Sequence, residues 1–282
     1  MVPARDFPMS GYAELAAISN FSFLRGASHP DEMVAQAKAL GLEAIAVGDW
    51  NTLAGLVRGH AQGKDLDFKF IPACRLVLRC GFQAVCLPTD RAAYGRLSRL
   101  LTLGKRRTEK GACDLSVEDV IAWRDGQIFI ALPPYEWTTD FERTLRALAA
   151  ACPQTTYLGA ARTFRAGEHR RLAELHGKSL ALKTPMVAVG DAYYHAPERR
   201  PLQDILTCTR EKTRINEAGF RLEANAERHL KPPGEMVRLF QGYEEAVARS
   251  VEIARACAFS LDQLTYDYPK ELIAPYETAQ AR

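Results

Sequence analysis

The sequence predicts a parallel α/β barrel, and three observations predict it. Short apolar runs recur at 12–18, 44–48, 70–78, 82–87, 127–132, 155–160 and 185–189. Most are separated by segments whose apolar residues keep helical spacing, so strand and helix alternate over about 200 residues. No GxGxxG follows a strand, which weakens the dinucleotide-binding version of the rival architecture, an open doubly wound sheet. At 282 residues and 47% hydrophobic content the chain can bury one large core or two small ones.

The elements can be justified in order. Residues 1–11 carry two Pro and a Gly and read as a flexible lead-in. Residues 12–18 (YAELAAI) form the first strand, and SNFSFLRGAS follows as a loop. A helix opens at His29-Pro30-Asp31-Glu32, with Ser28 as N-cap. Pro and the acidic pair fall in the first turn, where the helix dipole favours them. Met33, Ala37 and Leu40 keep helical spacing, and Gly41 stops the helix. The run Ala44-Ile45-Ala46-Val47 is a buried strand ending at Gly48-Asp49. The next helix starts near Asn51-Thr52, two good capping types, and ends near Gly63.

Strands at 70–78 and 82–87 flank Cys80-Gly81 as a hairpin excursion. A helix over 90–103 puts Leu97, Leu100 and Leu101 on one face. Residues 104–112 (GKRRTEKGA) read as a basic loop, and a short helix starts at Ser116. The strand at 127–132 is ended by Pro133-Pro134. A helix over 141–151, a strand over 155–160, a helix over 168–180 and a strand over 185–189 complete the alternation. Residues 12–196 are thus the barrel. Residues 197–265 form a mostly helical extension, with a strong amphipathic helix over 241–258, and 266–282 read as an exit segment.

Composition excludes little. The net charge of +3, from 37 basic and 34 acidic residues, is too mild to argue for nucleic acid or a membrane surface. No apolar run is long enough to span a bilayer, and the first residues lack the apolar core of a signal peptide, so the expected location is cytoplasmic. Seven cysteines, scattered and never in CxxC form, read as reduced buried thiols.

Chemistry should lie in the loops after the strands. Those loops gather Ser19, Asn20, Ser22, Asp49, Trp50, Gly159, Arg162, Asp191, Tyr193, Tyr194 and His195. Asp49 is either a catalytic carboxylate at a strand end or the cap of the next helix. A binuclear phosphoesterase centre needs several His and carboxylates to converge, and this face offers two Asp and one His. No GxSxG or Walker A motif is present. Cys74, beside Arg75, reads as a small buried residue rather than an activated thiol. Lys105, Arg106, Arg107, Arg199 and Arg200 are candidate phosphate contacts, with a solvated surface as the commoner explanation.

Two stretches carry a resemblance: YAELAAISNFSFLRGASHPDEMVAQAKALGLEAIAVGDWNTLAGLVRGH at 12–60 and VAVGDAYYHAPERRPLQDILTCTREKTRINEAGFRLEANAERHLKPPGEM at 187–236. They resemble the polymerase-and-histidinol-phosphatase (PHP) domain that begins bacterial C-family DNA polymerases, in its error-prone, mutasome-associated branch. SNFSFLRGASHP and YHAPERRPLQDILTCTRE are the most specific parts. The resemblance implies a distorted seven-stranded TIM-like barrel. In active members it also implies a metal cluster at the C-terminal face of the strands. Carried over residue by residue, the ligand positions fall on Ala16, Ile18, Asp49, Trp50, Arg75, Gln83, Asp191 and Tyr193. Only the two Asp are kept.

The resemblance therefore implies a degenerate, non-catalytic PHP domain of an error-prone translesion polymerase, acting in damage-induced synthesis as a structural or interaction module. Arg75 is expected to replace the metal as countercharge to Asp49 or Asp191, with Asp49 held in a salt bridge and Trp50 and Tyr193 filling vacated space. The chain itself should need no cofactor, Mg²⁺ being required only by a polymerase palm beyond it. Expected partners are the rest of the polymerase and, through it, mutasome proteins and the sliding clamp, with DNA contacts through this domain weak and no membrane. The alternatives are a metal-dependent phosphoesterase or proofreading 3′–5′ exonuclease, and a free-standing adaptor for mutasome proteins.

Overall fold

The computed structural model describes residues 11–265, so the expected lead-in (Gly11 apart) and the exit segment lie outside the described residues. Seven strands form one sheet in sequence order: β1 (Ala13–Ala17), β2 (Ala44–Trp50), β3 (Phe70–Val77), β4 (Gln83–Pro88), β5 (Gln127–Ala131), β6 (Thr156–Ala160) and β7 (Met186–Ala188). All neighbours are parallel except β4, which runs antiparallel to both β3 and β5. The expected hairpin excursion is thus a full member of the sheet. The helices are α1 (Pro30–Ala39), α2 (Leu56–Asp65), α3 (Arg91–Arg106), α4 (Val117–Ala122), α5 (Thr139–Ala151), α6 (Glu168–Leu182), α7 (Arg200–Glu211), α8 (Pro233–Leu239) and α9 (Glu244–Ala256). The architecture is a curled α/β half-barrel with a helical C-terminal region.

Alternation along each strand separates two cores. The outer core packs Ile45, Val47, Cys74, Leu76, Phe129 and Leu158 against helix residues such as Met33, Leu97 and Leu145. The inner core fills the curl with Leu15, Ala46, Ile71, Ala73, Val85, Leu87, Ile128, Ile130, Val187 and Val189. Among the described residues no strand ladder joins β1 to β7. The seam is bridged by other means. The N–H of Ile18 donates to the Ala192 carbonyl at 2.9 Å. At the opposite end α9 inserts Ile253 and Ala254 into the inner core. The Ser250 hydroxyl of α9 accepts the Ala13 N–H of β1 at 3.0 Å, and Arg249 donates to the Met186 carbonyl of β7. The amphipathic helix expected at 241–258 therefore closes the barrel floor.

Several local expectations are corrected. The N-cap of α1 is His29, whose N–H donates to Glu32 at 2.8 Å. Ser28 instead accepts the N–H of His195 at 3.0 Å, and its hydroxyl meets the His195 ring at 2.8 Å. β2 runs on through Asp49 and Trp50, and α2 starts only at Leu56. Asn51, in the left-handed region with φ 49°, is not a cap. Its amide brackets Val77, donating to the carbonyl at 3.0 Å and accepting the N–H at 2.9 Å. α3 continues through Lys105 and Arg106, so those two residues belong to a helix end rather than to a loop. All seven cysteines are free, and burial pushes the Cys74 thiol up, away from reactivity.

Candidate functional site

The C-terminal ends of the parallel strands form the barrel mouth, and strand parity decides what faces it. On β3, Ile71 and Ala73 point into the curl, so Arg75 does too. On β2, Ala44 and Ala46 point inward, which puts Ile45, Val47 and Asp49 on the outer face. Gly48 lies close against the β3 backbone: a Cβ there would come 3.3 Å from the Arg75 main-chain nitrogen.

The Arg75 side chain is 1% exposed. One terminal nitrogen donates to the Ala16 carbonyl at 2.7 Å and to Asp191 Oδ1 at 2.5 Å. The other Asp191 oxygen pairs with Arg228 at 2.9 Å. Arg228 comes from the helical extension. It is placed there by backbone pairing, with the Tyr193 N–H donating to the Arg228 carbonyl at 2.8 Å and a parallel bridge between Tyr194 and His229. Its guanidinium also stacks 3.9 Å from the Tyr193 ring centre. Burial opposes the charge on Arg228, but Asp191 beside it holds the group above its ordinary value.

Among the described residues Asp49 makes no salt bridge, contrary to expectation. Oδ1 accepts the Ser19 N–H at 2.8 Å and the Ser22 hydroxyl at 2.6 Å, and Oδ2 accepts the Ser19 hydroxyl at 2.7 Å. Outward parity is the reason, since it turns the carboxylate toward the loop after β1 and away from Arg75. Burial pushes the Asp49 carboxyl up, against the opposing pull of these hydrogen bonds. Trp50 carries the Arg25 guanidinium 3.6 Å from its ring centre. Ala16 and Ile18 are fully buried, and Gln83 lies at the rim, where its carbonyl accepts the Leu132 N–H at 2.9 Å.

Three residues that sequence reasoning did not single out complete the mouth. Arg228 is one. Glu14 is another: its carboxylate accepts from Ala16 N–H at 2.8 Å, from the Tyr12 hydroxyl at 2.8 Å and from Gly190 N–H at 2.7 Å. It thereby ties β1 to the segment after β7, and burial pushes its carboxyl up. The third is Arg171, which donates to the carbonyls of Pro133, Pro134 and Tyr135. Of the five candidate phosphate contacts, Arg107 pairs with Asp119 at 2.5 Å, Arg199 with Glu32, and Arg200 with Asp204 at 3.2 Å. Among the described residues no group of three His, Cys, Asp or Glu converges as a metal site.

The family model of the PHP domain matches residues 14–163. The chain belongs to the PHP domain family. It is 46% identical over 269 residues to the error-prone DNA polymerase of Caulobacter vibrioides, across 95% of this chain and 25% of that protein. It is 47% identical over 279 residues to the error-prone DNA polymerase of Brucella abortus, across 96% of this chain and 26% of that one. The chain thus spans about a quarter of the length of the curated relatives it matches. Among solved structures, a Bifidobacterium adolescentis protein assigned to the metal-dependent phosphoesterases shares the fold, with TM-score 0.51 and 14% identity over 66% of this chain and 88% of that one. No helix among the described residues is long and apolar enough to cross a membrane.

Proposed function

We propose that this chain is the PHP domain of an error-prone DNA polymerase and that its barrel mouth is structural rather than catalytic. The observation that carries the reading is the Arg75–Asp191–Arg228 triad. Two guanidiniums flank the Asp191 carboxylate, and their charge repels a divalent cation. The other positions onto which the resemblance maps metal ligands carry Ala16, Ile18, Trp50, Gln83 and Tyr193, none of which is a ligand of the needed kind. Asp49 faces its serines. These residues do not fit a metal cluster, and no reaction step is assigned to one.

On this reading nucleotidyl transfer, and the Mg²⁺ it needs, belong to the longer polymerase. So do damage-induced translesion synthesis and contacts with mutasome proteins and the sliding clamp. The domain's part is to hold its own barrel together and present a fixed surface to the rest of the protein. Elemental analysis of the gently purified chain tests this. Less than one Zn, Mn or Fe per chain, with no phosphoesterase or 3′–5′ exonuclease activity on added metal, is the expected result. Two or more tightly held metals with activity would replace this reading with the phosphoesterase one.

A further inference from the structure

We propose that the outer face of α7 is a docking surface for an amphipathic helix with acidic flanks, carried by a separate protein. A surface helix ordinarily buries its apolar stripe, and α7 reverses that order. Its buried side chains are Gln203, Thr207 and Cys208, with the Gln203 amide donating to the Thr207 hydroxyl at 2.9 Å. Leu202 and Ile205 face solvent instead, Ile205 being 55% exposed.

The chain then doubles back along α7. At one end the Thr213 N–H donates to the Cys208 carbonyl at 3.0 Å, and at the other Arg200 donates to the Glu223 carbonyl at 2.6 Å. The short turns Ile215–Glu217 and Gly219–Arg221 therefore run beside the helix. They add Ile215, 58% exposed, and Phe220, fully exposed. Ile205 and Ile215 line one open groove of about 710 Å³. Being open, it takes a helix laid side-on rather than an enclosed small molecule.

Charge selects the occupant. Among the described residues Lys212, Arg214 and Arg221 form no ion pair, and of the carboxylates along this stretch only Glu217 is left unpaired. Asp204 is held by Arg200 at 3.2 Å and Glu211 by Arg210 at 3.0 Å. An apolar stripe bordered by surplus cations matches apolar anchors at i, i+3, i+4 and i+7 bordered by Asp or Glu. The same surplus opposes a second copy of this chain, since two basic rims would meet. Nucleic acid is disfavoured because Leu202, Ile205 and Ile215 give bases no ring to stack on. Position favours a partner in trans. α7 belongs to the mouth end of the barrel, where Arg210 donates to the Leu24 carbonyl at 2.9 Å and Arg199 pairs with Glu32. Asp262, near the last described residue, pairs with Lys64 of α2 at 3.0 Å, at the floor. A covering segment in cis from there would have to cross the length of the barrel.

The test is fluorescence anisotropy of the whole chain with a labelled synthetic helix of about 18 residues, with leucines at those spacings and glutamates on both flanks. Saturable binding is expected with Kd below about 50 µM, weakening as salt rises. The same leucines flanked by lysines should bind roughly tenfold more weakly or worse. Ile205→Asp and Ile215→Asp should each weaken binding about tenfold or more, with melts unchanged because both side chains already face solvent. Leu180→Ser, at an exposed position on α6, should change nothing. Absence of binding at about ten times that concentration, indifference to both isoleucine variants, or preference for oligo(dT) over the acidic helix would overturn the proposal. So would dimerisation of the chain in sedimentation that Ile205→Asp abolishes, or loss of peptide binding in the longer polymerase, where the face would then be covered in cis. No metal or phosphoester enters the assay, so this reading and the structural one above can fail separately.

Discussion

Arg75→Met removes the buried guanidinium while keeping much of its volume. The Arg75 side chain is 1% exposed, so solvent does little to screen what is lost. The Ala16 carbonyl loses its 2.7 Å donor, and leaving such a group unmet costs about 1–3 kcal/mol. Asp191 loses its 2.5 Å bond but keeps Arg228 at 2.9 Å, so its charge stays paired. The desolvation penalty of Arg75 itself is recovered, and methionine restores apolar contact. The net loss should be about 2–3 kcal/mol. Asp191→Asn is a harsher change. It leaves two guanidiniums, 1% and 12% exposed, facing each other with no carboxylate between them. Uncompensated buried charge of this kind costs about 3–5 kcal/mol. At about 2–4 °C per kcal/mol for a domain of this size, circular-dichroism melts should fall about 5–10 °C for Arg75→Met and further for Asp191→Asn. The double variant should cost less than the sum of the two, since both remove the same bond. A melt for Arg75→Met within about 1 °C of wild type, or Asp191→Asn milder than Arg75→Met, refutes the reasoning.

Three further outcomes follow from the geometry. Ser250→Ala strands the buried Ala13 N–H and should cost about 1–3 kcal/mol, with amide exchange at residue 13 accelerating ahead of its neighbours. Gly26→Ala would put a Cβ 2.1 Å from the Ser19 carbonyl. The loop that feeds Asp49 must then shift, at about 1–3 kcal/mol, and retained melting behaviour would count against the loop's tight packing. Burial raises the Asp49 carboxyl above its ordinary 3.8, so the folded chain holds that proton more tightly than the unfolded chain. The stability this adds is fully present below the unfolded value and is lost as pH rises through the folded one. Urea midpoints of wild type relative to Asp49→Asn should therefore fall from pH 4 toward neutrality, and a difference that grows with pH would contradict the shift.

Much of the fold is legible because strand runs such as 44–48 and 127–132 are apolar, short and bounded by turn residues. Strand direction is not carried by periodicity, so β4 reads as an excursion when it is an antiparallel member of the sheet. Capping signals are local and yield to tertiary demand. Asn51 looks like a cap but is used to bracket Val77, and Ser28 is drawn off to His195. The parity of β2 is readable, since Ile45, Val47 and Asp49 share one face. Which face is inward is not, because both faces of a parallel barrel strand are apolar. Only the small set Ala44, Ala46 and Gly48 hints at the crowded interior. Arg228, Arg165 and Arg171 carry no local signal at all. Arg228 lies in an irregular segment after Asp191, and only the chain's return brings the two together; Arg165 precedes α6 and Arg171 lies on it.

The placement of the triad suggests why the mouth keeps an inward carboxylate. The sheet curls but β1 and β7 do not pair, so its edges need other ties. At the floor α9 supplies them, accepting from β1 through Ser250 and donating to β7 through Arg249. At the mouth the chain of contacts runs from the Ala16 carbonyl of β1 to Arg75 of β3, on to Asp191 after β7, and out to Arg228 of the extension. Glu14 adds a second tie through the Gly190 N–H. A bound cation could bridge the same carboxylate to neighbouring strands, but a guanidinium fixed to β3 does so with directed hydrogen bonds and fills the space besides. Removing Asp191 would therefore loosen the seam as well as unpair a charge. Amide exchange at Ile18, whose N–H meets the Ala192 carbonyl at 2.9 Å, is the place where that loosening should first be seen.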